Sequence, residues 1–82
     1  MAKEKKNPPR RLKALSRAVR VLREAAQLSQ EELADRAEID RTYISGIERS
    51  VRNPSFLVLW KIADALGVSF SKLAETAEQP PR

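Results

Sequence analysis

Residues 28–50 read LSQEELADRAEIDRTYISGIERS, and they contain two short helical segments around a tight link. Ser29 is a good N-cap residue. Glu32, three positions on, completes a Ser-x-x-Glu capping box, in which each side chain satisfies the other residue's free backbone N–H. Leu33, Ala34 and Ala37 then form a short apolar stripe, which predicts a helix near residues 30–37. Glu38, Ile39 and Asp40 leave room only for a turn, and Asp40 is a second N-cap. A further helix is predicted from Arg41 to about Arg49.

This further helix divides by angle. At about 100° per residue, Ile44, Ile47 and Val51 point together toward a core. Thr42, Ser45, Gly46 and Arg49 point the other way, and Arg41 lies in the first turn. Tyr43 flanks the apolar side, where both packing and an outside contact are open to it. The outward face is small, polar and basic, without the Glu/Lys mixture of an idle solvated face. It suits a DNA major groove. Arg41 can donate a bidentate pair to guanine O6 and N7, and Thr42 offers a methyl group to thymine and a hydroxyl to a base edge. Gly46 lets the backbone come close to the groove, which would justify its helix cost of about 1 kcal/mol. Ser45 and Arg49 are placed for phosphates or flanking bases. Arg52 and Asn53, in the following turn SVRNPS, suit phosphates. Gln30 opens the preceding helix, either aiming its amide at a phosphate or lying on the surface as part of the cap. The competing reading of the whole face is ordinary solvent exposure with one poor helix former.

Outward from this pair the pattern stays helical. Leu12, Leu15, Val19, Leu22 and Ala26 recur at three- and four-residue steps, predicting a helix of about four turns from Arg10. Asn53 precedes a proline and is pushed out of the helical region. A fourth helix is predicted from Ser55, with Phe56, Leu59, Ile62, Ala63 and Leu66 on one side and Gly67 in the left-handed position after its end. Ser69 caps a last short helix bearing Phe70 and Leu73. Five helices over about 65 ordered residues make an all-α domain whose core is small. The expected organisation is an arm over residues 1–9, a domain over 10–76 and a tail over 77–82, both ends disordered.

The chain has 82 residues, no cysteine and no histidine. One domain is the most it holds, disulfide and thiol chemistry are absent, and so is the commonest general base and metal ligand. No nucleophile–base pair or metal cluster is evident, so no catalytic residue, metal or cofactor is expected. No apolar run spans a membrane and no signal peptide leads the chain, so a cytoplasmic protein is expected. Six of the sixteen basic residues fall in the first thirteen positions against one acid, Glu4, so that segment carries the whole formal charge of +5. The arm serves either for solubility or to grip phosphates or a minor groove. The folded part is neutral, so net charge alone does not show that it binds a polyanion.

The segments LSQEELA, YISGIERS, RNPS and IADALGVS together resemble the Cro/C1-type (XRE-type) helix-turn-helix domains of bacterial and phage regulators, over about residues 22–73. RTYISGIER followed by RN is closer still to the controller proteins of restriction–modification systems. The resemblance implies a five-helix, lambda-repressor-like domain that binds palindromic operator DNA as a symmetric homodimer. Arg41 and Thr42 then look like base readers, with Tyr43 and Ser45 near bases or backbone. Gln30, Arg49, Arg52 and Asn53 look like backbone contacts. Relatives can carry a base-reading side chain where this chain has Gly46. The same pattern pairs Arg23 with Glu48.

Two departures stand out. Relatives usually place glycine at the turn where this chain has Glu38; either a left-handed glutamate costs about 1 kcal/mol or the turn differs slightly. The segment SFLVLWKIA is also more apolar than in relatives. Leu57 and Trp60 lie off the core stripe, either as extra packing or as a partner surface. The second is preferred here, as a homodimer interface with Phe70. The function expected is transcriptional regulation, repressing by blocking RNA polymerase or activating by touching it. An antitoxin that masks a toxin and autoregulates its operon is the alternative, weakened by the short tail after Thr76. A non-specific nucleic-acid coater acting through the arm is the next.

Overall fold

Helix starts are set by the side chains that take over the backbone N–H groups a helix leaves unpaired. The computed structural model describes residues 8–80. Helix α1 (Arg10–Ala25) begins behind Pro9, without a side-chain cap. Helix α2 (Gln30–Ala37) has the complete Ser29–Glu32 capping box. Helix α3 (Arg41–Glu48) is capped by Asp40, whose carboxylate accepts from Thr42 N at 3.2 Å. Ser55 caps α4 (Phe56–Leu66) and Ser69 caps α5 (Phe70–Glu78). These five helices are the five expected, and among the described residues there is no strand. Helix α5 runs to Glu78, past the expected domain edge at 76. The arm proposed over 1–9 lies outside the described residues except for Pro8 and Pro9, as do residues 81 and 82 of the tail.

Helix ends use left-handed residues. Gly67 closes α4 at φ 77°, as its lack of a Cβ allows. Glu38 closes α2 at φ 59°, so of the two turns open to it the left-handed one is present.

The core gathers Ala18 and Val19 from α1, Leu28, Leu33 and Ala34, Ile44 and Ile47 from α3, Ile62, Ala63 and Leu66 from α4, and Leu73 from α5. Helix α2 packs on α3 and α4, while α1 packs on α3 and α5. Some residues that periodicity turns toward the core do not enter it. Val51 is 62% exposed, because α3 ends at Glu48 and Ser50 turns left-handed at φ 63°. Phe56 is 58% exposed at the first position of α4. Ala26 is exposed just past α1. In their place the core admits Ser16, whose hydroxyl lies 2.6 Å from the Ile47 carbonyl and 2.9 Å from that of Leu12. Ser16 Oγ also accepts from the Ser50 hydroxyl at 2.8 Å, so one buried polar residue bolts the end of α3 to α1.

No helix among the described residues is long and apolar enough to cross a membrane.

Candidate nucleic-acid interface

Of the residues that the helix angles turn away from the core, all but Gly46 reach the surface at least in part. Arg41, Thr42 and Arg49 are exposed, and Ser45 is half-buried. Asp40 spends its carboxylate on the Thr42 N–H, which starts the helix and leaves both Arg41 and Thr42 on its first turn. One turn further, Arg49 Nε donates to Ser45 Oγ at 3.3 Å. These four residues share one surface with a guanidinium at each end and hydroxyls between. Such a surface can hydrogen-bond base edges and phosphates. Arg52 and Asn53 are exposed in the link that follows.

Gly46 is placed differently from the expectation. It is buried, not open to a groove. A Cβ built on it would lie 2.5 Å from Arg52 Cγ and 3.5 Å from Val51 Cγ2. The missing side chain therefore makes room for the returning loop, and the close approach is between α3 and its own next segment. Tyr43 is half-buried against the core, and the Arg52 guanidinium lies 5.4 Å from its ring centroid. Its packing role is thus realised, while the ring keeps one polar neighbour.

Behind this face sits a buried carboxylate. Glu48, the last residue of α3, accepts from Arg23 Nε at 2.6 Å, Arg23 Nη2 at 3.0 Å and Gln30 Nε2 at 2.9 Å. Arg20 Nε approaches to 3.7 Å, but its side chain is half exposed and adds little. The Glu48 side chain is fully buried, and a charge so placed needs these partners. The hydrogen bond to Glu48, and then its charge, hold the Arg23 guanidinium above its ordinary value despite burial. Gln30 therefore does not simply point outward: one amide hydrogen is committed to Glu48, and the second remains to donate elsewhere. The Gln30–Glu48 bond was not legible from spacing, since eighteen residues separate the pair.

The dimer candidates form a separate patch on α4 and α5. Trp60 and Phe70 stack with centroids 4.7 Å apart. Phe56 meets each of them edge-on, at 5.3 Å and 5.2 Å. Leu57 beside them is 70% exposed and Trp60 43% exposed, whereas Phe70 is half-buried. Phe56 belongs to this patch and was missed because its position fits the core stripe.

A helix-turn-helix family model matches residues 19–73. The HTH-type transcriptional regulator y4dJ of Sinorhizobium fredii is 38% identical over 60 residues, covering 73% of this chain and 78% of that protein. The control protein C.MunI of a Mycoplasma species is 42% identical over 57 residues, covering 70% and 77%. A variant of the restriction–modification controller protein C.Esp1396I superposes with a TM-score of 0.83 at 34% identity, covering 87% of this chain and 90% of that one. C.Esp1396I has also been solved bound to a 19 base pair DNA duplex and, as a tetramer, with its natural 35 base-pair operator. The capped α2–turn–α3 unit, the fold around it and these matches lead to one conclusion: the chain belongs to the XRE-type helix-turn-helix family, with restriction–modification controller proteins among its relatives.

Proposed function

We propose that this protein is a sequence-specific DNA-binding transcriptional regulator that binds operator DNA as a homodimer, with α3 in the major groove. The observation that carries it is exposed Arg41 and Thr42 on the first turn of α3, half-buried Ser45 one turn on and exposed Arg49 at the C-cap, along a helix whose opposite side is fixed in the core. In this reading Arg41 and Thr42 read base edges, with Tyr43 and Ser45 beside them. Gln30, Arg49, Arg52 and Asn53 hold the backbone. Gly46 serves the loop, not a base. The Leu57, Trp60 and Phe70 patch joins two copies, and a two-fold dimer then presents two α3 helices about 34 Å apart, one helical turn of DNA. Regulation follows occupancy of the operator, from a nucleoid-associated position in a bacterial cytoplasm, through obstruction of or contact with RNA polymerase. The relatives carry the names of regulators and controllers, which favours this over the toxin-masking alternative.

Selection of bound duplexes from a random DNA pool tests it. The expected result is a palindrome with half-sites about one turn apart. Recovery of unrelated sequences, or of none, would reject the reading.

A further inference from the structure

The loop after α3 returns to the helix at one place. Val51 N and Arg52 N both donate to the Gly46 carbonyl, at 2.9 Å and 3.1 Å. The left-handed Ser50, φ 63°, makes that return possible. The Arg52 stem then lies across Gly46, where a Cβ would stand 2.5 Å from Arg52 Cγ. No real Cβ tolerates such a distance, so any other residue at 46 displaces the stem. The far end of the side chain is held too: its guanidinium lies 5.4 Å from the Tyr43 centroid, within the roughly 6 Å of a cation–π contact. Tyr43 and Gly46 are neighbours on the surface of α3, three residues apart. Stem and head therefore rest on adjacent positions of one helix, yet Arg52 as a whole stays exposed.

We infer that Gly46 and Tyr43 are positioning residues for Arg52: the notch at Gly46 seats its stem and the Tyr43 ring holds its guanidinium, so the loop presents a preset cation alongside the outward face of α3. This deepens the DNA-binding reading and rests on it. A long exposed side chain ordinarily loses rotamer freedom when it binds, and a seat in the free protein removes part of that loss beforehand. Arginine keeps donors for a phosphate or base oxygen even while one face lies on a ring. Gly46 is in helical conformation, not a left-handed one, so an alanine there is allowed by the backbone and conflicts only with Arg52 and its loop.

Two measurements test the inference. In the free protein, NMR should show the Arg52 side-chain protons shifted upfield by the Tyr43 ring. The shift should vanish in Gly46→Ala and in Tyr43→Leu. An Arg52 without that shift in the unaltered protein overturns the inference whatever the DNA result. On a duplex recovered by pool selection, Arg52→Ala should weaken binding. Gly46→Ala should weaken it about threefold to tenfold, the effect of freeing one long side chain. The double variant should bind like Arg52→Ala alone, because Gly46 acts through Arg52. A Gly46→Ala loss that persists at full size in the Arg52→Ala background, or no loss with Arg52 present, also overturns it. If the unaltered protein binds no duplex while the NMR shift is present, the proposed function fails and the seat itself stands.

Discussion

Arg23 Nε donates to Glu48 Oε2 at 2.6 Å, and through this bond the first helix holds the last residue of α3. The carboxylate is fully buried and the guanidinium 13% exposed. Arg23→Ala should therefore cost about 3 kcal/mol, as for a buried charge left without its partner. Urea unfolding followed by circular dichroism measures this. A loss below about 1 kcal/mol would mean the pair behaves like an exposed one.

Arg41 stands on the first turn of α3 with its side chain exposed. Its replacement by alanine should lower affinity for the selected operator by about 1–3 kcal/mol and relax preference at one base position per half-site. Binding weakened equally for all sequences would reassign Arg41 to the backbone. Titrations against matched and single-base variant duplexes separate the two.

Glu38 occupies the left-handed cap of α2 at φ 59°. Glu38→Gly should relieve about 1 kcal/mol of backbone strain. For a domain of this size that raises the melting temperature by about 4–8 °C. An unchanged or lower melting temperature would show that the glutamate's other contacts outweigh its backbone cost.

Trp60 stacks on Phe70 yet is 43% exposed. Trp60→Glu should weaken self-association more than tenfold, the scale of losing an aromatic anchor worth about 2 kcal/mol. Sedimentation velocity over a concentration series reports it, with helix content as the control for folding. A sedimentation profile matching the unaltered protein would move the dimer surface elsewhere.

Glu32 has its carboxyl held below the ordinary 4.5, chiefly by the backbone N–H of Ser29. A carboxylate whose folded value is depressed contributes stability above its unfolded value and loses it as pH falls through the folded one. The α2 cap should thus be intact above about pH 4.5 and weaken below it. Amide exchange at Ser29 and Glu32 follows that loss, and Glu32→Gln should remove the pH-dependent part. Equal pH dependence in the variant would assign it to other carboxylates.

Much of this molecule is written locally. Ser29, Asp40, Ser55 and Ser69 each accept the backbone hydrogen bond that their identity and place predict. Caps depend on three or four consecutive residues, so a sequence displays them directly. Contacts that depend on how the chain returns are a different matter. No local pattern marks Ser16, whose burial depends on Ile47 and Ser50 being brought to it. Val51 reads as core because periodicity assumes a helix that in fact stops at Glu48. Phe56 satisfies the core spacing of α4 but lies where two other aromatic rings are nearer than the core. Gly46 faces away from the core as its angle requires, but the segment that covers it comes from six residues further on. Only the family resemblance implies the Arg23–Glu48 pair, since no local pattern joins residues so far apart.

Residues 41–49 alternate between two independent duties. Ile44, Ile47 and Glu48 are buried and fix the helix, while Arg41, Thr42 and Arg49 are exposed and carry none of the core. Exposed substitutions of that kind change stability by about 0.5 kcal/mol or less. A descendant of this chain can therefore exchange its outward residues one at a time without any intermediate that fails to fold.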